Sequence, residues 1–200
     1  MSRKKDPRRM RIISVSSSSK KSGKSSVASY LVRELGIDFA LKISTGSHTS
    51  TPVVTDPDLI SKPGTDTGSL VQAGAKRVIW VNAPEGRLDT GITSALKMLP
   101  PEGTLVVEGN SALKHLAPDF AVFVMTVPFQ DFKPSANTAL ARADLVLVDM
   151  RWRLNGAEAG TLAEAVMRKT TGARAVFFDD DDGFQEALKE TARLARKRLA

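Results

Sequence analysis

Apolar residues come along this chain in short unbroken runs, separated by stretches in which they recur every three or four positions. A short run bounded by turn residues fits a strand buried on both faces, and the longer spacing fits a helix with one buried face. The first run predicts a strand over residues 11–15, followed by a serine-rich turn. From Lys24 the period becomes helical, with Val27, Tyr30, Leu31 and Leu35 on one side and Gly36 as the stop signal. Residues 39–43 predict a second strand. A polar stretch with three prolines then runs from 44 to 67, longer than a structureless connection usually is unless it serves function. Beyond it the pattern predicts a short helix near 69–73, a strand over 77–81, a helix over 88–99 and a strand over 104–108 that ends at Gly109. Runs at 120–126 and 145–149 are two more strands, with a helix at 135–141 between them. A helix over 157–168, a strand over 173–178 and a helix over 183–199 close the series.

Unbroken apolar strands that alternate with helices mean a mostly parallel sheet covered by helices on both faces, an α/β fold. A chain of 200 residues suits one such domain, and neither an internal repeat nor a second domain is visible. The expected organisation is a basic flexible arm over residues 1–10 and a single folded domain over 11–200.

Composition narrows the chemistry. There is no cysteine, which excludes disulfides, thiolate ligands and cysteine nucleophiles, and only His48 and His115 to offer imidazole. No apolar run approaches the roughly 18 residues of a membrane span, and the opening residues lack the apolar segment of a signal peptide. A cytoplasmic protein with no membrane role is expected. The net charge of +7 raises the question of nucleic acid. Six basic residues, however, fall in the first eleven positions, and Arg193, Arg196, Lys197 and Arg198 crowd the end. No aromatic residues interleave with them, so solvated termini are expected instead.

The serine-rich turn carries the strongest chemical signal. Ser18-Ser19-Lys20-Lys21-Ser22-Gly23-Lys24-Ser25 matches the last three residues of the phosphate-binding P-loop, with Ser18 in place of its first glycine. The tripeptide lies between the first strand and the first helix, where backbone N–H groups and the helix N-terminus attract phosphate. On this reading residues Ser19, Lys20, Lys21, Ser22, Gly23, Lys24, Ser25 and Ser26 contact a nucleotide, GTP or ATP. Lys24 reaches the terminal phosphates and Ser25 binds Mg²⁺ through its hydroxyl. The same site needs an acidic residue at the end of a buried strand. Glu108 is the best placed and Asp149 the alternative, rated mainly as a strand-end or base-proximal residue; Asp38 reads as a cap. In the polar stretch, Asp66 follows the Pro63-Gly64 turn and reads either as a further acidic candidate or as the cap of the next helix. Lys42 just before this stretch, and Asp56 and Asp58 within it, are further candidates, while His48 reads as a surface residue and Asp179–Asp182 as charges suited to a helix N-terminus.

The order of these landmarks is similar to that of the MobB family, accessory proteins of molybdopterin-guanine dinucleotide biosynthesis. The residues are the P-loop, Leu41-Lys42-Ile43 with a histidine beyond, Lys62-Pro63-Gly64-Thr65-Asp66-Thr67, Ala73-Gly74-Ala75 and Val106-Val107-Glu108-Gly109. The likeness covers about residues 11–110. It implies a P-loop NTPase fold of the signal-recognition/MinD-like class, GTP with Mg²⁺, a homodimer, a cofactor-biosynthesis partner and a role in delivering nucleotide for molybdenum cofactor maturation. By position it implies that Gly23, Lys24, Ser25, Asp66 and Glu108 contact nucleotide and metal, with Lys24 and Glu108 serving hydrolysis. The sequence departs from the family at Ser18, at the four residues between Ile43 and His48, and at Asn110-Ser111-Ala112 after Gly109. It also lacks an Asn-Lys-x-Asp motif to read guanine. A P-loop kinase or ligase with a small acceptor bound by residues 44–67, and a nucleotide-switched partner without efficient catalysis, stand as the other readings.

Overall fold

The computed structural model describes residues 9–46, 52–126, 132–151 and 172–200, with positions 161, 164 and 168. Its centre is an eight-stranded sheet, in which β1 (Met10–Ser17) is flanked by β5 (Gly103–Glu108) and β6 (Phe120–Thr126). From β5 the sheet continues through β2 (Phe39–Thr45) and β4 (Arg77–Ala83) to β3 (Val53–Val54). From β6 it continues through β7 (Leu145–Asp149) to β8 (Arg174–Phe178). All pairings are parallel except that of β3 with β4.

Period two along the strands divides two faces. In β6, Phe120, Val122 and Val124 pack on one side, while Phe123 and Met125 pack on the other. The first side is covered by α1 (Lys24–Leu35), α3 (Asp66–Gln72) and α6 (Asp181–Leu199). The second is covered by α4 (Leu88–Lys97) over β2, β4 and β5, and by α5 (Pro134–Ala141) over β6 and β7. Central strands buried on both faces are why their sequences read as apolar runs and not as alternations.

The α/β fold expected from the sequence is present, and its differences from expectation have local causes. β1 runs on to Ser17 because Ser14, Ser16 and Ser17 are extended and buried between β5 and β6. Its first residue is Met10, and Arg9 already pairs with Asp119, so residues 9 and 10 belong to the folded part and not to an arm. The stretch 44–67 is not structureless: it holds β3 and a one-turn helix α2 (Pro57–Ile60), capped by Asp56. α3 starts at Asp66, earlier than expected, because the Thr65 side chain accepts a hydrogen bond from the Gly68 N–H. The helix expected over 157–168 lies outside the described residues except at Thr161, Glu164 and Arg168, all helical; His48 lies outside them too.

The last helix begins two residues before its expected start, because Asp180 accepts from the Gly183 N–H at 2.6 Å. Asp180→Ala should therefore lower the unfolding free energy by about 1 kcal/mol. Urea denaturation measures this, and no change would mean that the cap adds nothing.

Candidate functional site

At the carboxyl end of β1 the chain turns through Ser18–Gly23 into α1. Ser17 is clamped there by Asn110, whose side chain accepts from the Ser17 N–H and donates to its carbonyl, both at 2.8 Å. The Ser17 and Ser22 hydroxyls both donate to the Ser19 carbonyl at 3.0 Å, which fixes the turn from within. Ser18, where a glycine was expected, donates its N–H to Val124 and so joins the loop to β6. Gly23 takes φ +86, a conformation suited to glycine. Lys21, at φ +62, is the one non-glycine with positive φ among the described residues. The first turn of α1 has no side-chain cap and no acidic residue. Its N–H groups are open to an anion, and the helix dipole favours one.

Five side chains, Lys24, Ser25, Lys42, Asp66 and Glu108, converge beside that helix end. Lys42 of β2 and Glu108 of β5 are register partners, as are Lys42 and Trp80 of β4, so the sheet alone brings these three strands' residues into one row. Glu108 is 0% exposed. Its Oε1 lies 2.9 Å from Lys24 Nζ, 2.7 Å from Lys42 Nζ and 3.1 Å from the Ser25 hydroxyl. The Ser25 hydroxyl is also 2.7 Å from Asp66 Oδ1, and the other Asp66 oxygen accepts from Lys42. Glu108 Oε2 is buried with no hydrogen-bond partner among the described residues. An orphaned carboxylate oxygen in a protein interior costs about 1–3 kcal/mol.

Burial works against the charge of Lys42, yet Glu108 and Asp66 outweigh it and hold its pKa above the ordinary lysine value. Burial likewise opposes the charge of Asp66. Hydrogen bonds from Lys42 and Ser25, with the charges of Lys42 and Lys24, still hold its carboxyl below the ordinary range. Both groups are therefore ionised throughout the neutral range.

Lys24, Ser25, Lys42 and Asp66 line a cavity of about 920 Å³, at the upper end of the range for small-ligand sites, while Glu108 is fully buried and is not part of the lining. Of the expected nucleotide contacts, Lys20, Lys21, Ser22, Gly23, Lys24, Ser25 and Ser26 line it, while Ser19 anchors the loop through its carbonyl. Asp66 lines it as well, and since Thr65 caps α3, the Asp66 carboxylate is free for the site. Asp149 does not take part: Arg151 binds both its oxygens, at 2.9 and 2.6 Å. Asp38 pairs with Lys76.

Trp80 came into view only in the structure, whereas Ser44, Leu59 and Lys62 fall in the stretch 44–67 that one sequence reading assigned to a small acceptor. The far wall of the cavity includes Ser44, Leu59, Lys62 and Trp80, and the Trp80 indole N–H donates to Ser44 at 2.8 Å. Asn110, the loop clamp, also came into view there; its one sequence signal was a departure from the family pattern.

The Asp66 and Glu108 carboxylates lie together with the Ser25 hydroxyl, and Glu108 Oε2 has no partner among the described residues, a set of oxygen donors that suits a hard divalent cation such as Mg²⁺. Among the described residues no group of three or more His, Cys, Asp or Glu side chains forms a metal cage. Such an ion would thus take its remaining ligands from water and phosphate. Among the same residues no helix is long and apolar enough to cross a membrane.

No family model matches the chain, and no curated protein is similar to it in sequence at a significant level. Among solved structures, it is similar to HypB from Helicobacter pylori in complex with nickel, with a TM-score of 0.60 at 14% identity over 95% of this chain and 87% of that one. It is also similar to the hydrogenase maturation factor HypB from Archaeoglobus fulgidus, with a TM-score of 0.55 at 13% identity over 97% and 91% of the two chains. At such identities the likeness speaks for the architecture alone: the fold is that of the P-loop NTPases.

Proposed function

We propose that the chain binds a nucleoside triphosphate with Mg²⁺ in this cavity and hydrolyses it slowly. The observation that carries the reading is the meeting of Lys24, Ser25, Asp66 and Glu108 at an uncapped helix N-terminus. In this reading the α1 N–H groups and Lys24 hold the phosphate chain. The Ser25 hydroxyl, Asp66 and Glu108 hold Mg²⁺, which when bound neutralises charge on the phosphates. Glu108, buried beside the Lys24 and Lys42 nitrogens, orients the ion or the attacking water. Catalysis on this scheme is positioning and charge neutralisation, as in other phosphoryl-transfer sites.

The MobB-like landmarks carry the finer part of the proposal: GTP as the favoured nucleotide, a homodimer, and cytoplasmic service to molybdenum cofactor biosynthesis. A second reading rests on the far wall of the cavity. Ser44, Leu59, Lys62 and Trp80 line space on the β2–β4 side of Glu108, where a small acceptor of a phosphoryl group would lie. Phosphate release from GTP and ATP, measured with and without Mg²⁺ and with no acceptor added, tests the choice. Slow, Mg²⁺-dependent release that favours GTP supports the first reading. Binding without release would move the case to the second, and absence of both would end the NTPase proposal.

A further inference from the structure

We propose that Lys42 is the resident counter-ion of the Asp66–Glu108 pair, and that it makes metal binding there conditional on a nucleoside triphosphate. The proposal rests on the nucleotide reading of the cavity and goes beyond it. Lys42 lies in β2 between the core residues Leu41 and Ile43, and is only 9% exposed. Its ammonium group touches both carboxylates expected to hold the metal, Asp66 through Oδ2 and Glu108 Oε1 at 2.7 Å. Lys24 lies on the same Glu108 oxygen. The two carboxylates and two lysines are therefore neutral as a group.

A bare divalent cation entering between Asp66 and Glu108 must displace the Lys42 ammonium. It leaves two positive charges uncompensated beside the fully buried Glu108, and Lys42, whose side chain is 11% exposed, has only the cavity to move into. Such a charge excess is heavily penalised in a protein interior. A triphosphate changes the balance. The Lys24 and Lys42 nitrogens are each within 3 Å of one oxygen, so they stand within about 6 Å of each other. A phosphate chain held by Lys24 therefore lies within reach of the displaced Lys42. The terminal phosphate supplies the anion that Lys42 loses, and a diphosphate lacks it. Lys42 thus acts as a positioning residue that ties metal entry to the triphosphate.

The test uses Mn²⁺ as the probe, followed by electron paramagnetic resonance, with wild type, Lys42→Met and Lys42→Gln. Wild type should hold Mn²⁺ at least 10-fold more tightly with a non-hydrolysable GTP analogue than with GDP or with no nucleotide. Both variants, checked for folding by thermal melting, should bind Mn²⁺ alone at least 10-fold more tightly than wild type, and their preference for triphosphate over diphosphate should narrow. Equal Mn²⁺ affinity of wild type with and without the triphosphate overturns the proposal, even if neither variant folds. So does unchanged affinity for Mn²⁺ alone in the folded variants. If wild type binds no nucleotide under any condition, the reading of the cavity falls first and the proposal falls with it.

Discussion

Glu108→Gln should lower the rate of nucleotide hydrolysis by about 100-fold or more while nucleotide binding persists. Glutamine keeps the shape of the side chain but removes the charge at the point where Lys24, Lys42 and Ser25 meet. A positioned charge inside a water-poor site is worth far more than on a surface, and loss of one such group commonly costs 100- to 1,000-fold in rate. Binding persists because Lys24 and the α1 N–H groups still face the phosphates. The same substitution leaves two partly buried ammonium groups with Asp66 as their remaining carboxylate, so a lower melting temperature should accompany the lower rate. Single-turnover hydrolysis with bound nucleotide separates the two effects. An undiminished rate would remove Glu108 from any catalytic role.

Gly109→Ala should be more damaging to the fold than any surface change. Gly109 adopts φ +142, and a β-carbon there would stand 2.4 Å from the Ile43 carbonyl oxygen. That oxygen belongs to β2 and has no flexible side chain to yield, so the backbone itself must move. The Gly109 N–H also donates to Val15 at 3.0 Å, tying the end of β5 to β1. Strain of this kind costs about 1–3 kcal/mol before the clash is counted, and a total loss of about 3 kcal/mol is expected. Because Glu108 is the preceding residue, triphosphate affinity in the presence of Mg²⁺ should fall along with stability. Chemical denaturation reads the first quantity and titration the second. A variant as stable as wild type would mean that β2 and β5 can separate at little cost.

The strands of the sheet were legible in the sequence because burial on both faces leaves an unmistakable apolar run, as in β6 and β7. β3 was not legible: it has two residues, and its antiparallel pairing with β4 comes from tertiary contact and not from local pattern. The start of α3 was missed because Asp66 itself reads as its cap in the sequence, whereas Thr65 caps it by accepting from the Gly68 N–H. In the site, Gly23-Lys24-Ser25 and Glu108 were readable, since a strand end and a helix start are local features. Lys42 was partly readable as a lysine inside an apolar run, but its contact with Glu108 depends on the register of β2 against β5. Trp80 reaches the same row through one more strand, which no local pattern encodes. Asp149 looked like Glu108 in sequence, but it ends β7, two strands from β1, and Arg151 binds both of its oxygens there.

Nucleotide binding at the α1 N-terminus is tested by calorimetric titration of wild type and Lys24→Ala with GTP, ATP and their non-hydrolysable analogues, with Mg²⁺ and with EDTA. Lys24 faces the helix end at which phosphate is proposed to bind, and a lost charge-assisted contact to phosphate weakens affinity by roughly 10- to 100-fold. Binding to wild type should depend on Mg²⁺ and should drop by that factor or more in Lys24→Ala. Failure of wild type to bind either nucleotide, or equal binding by the variant, would contradict nucleotide binding at this site.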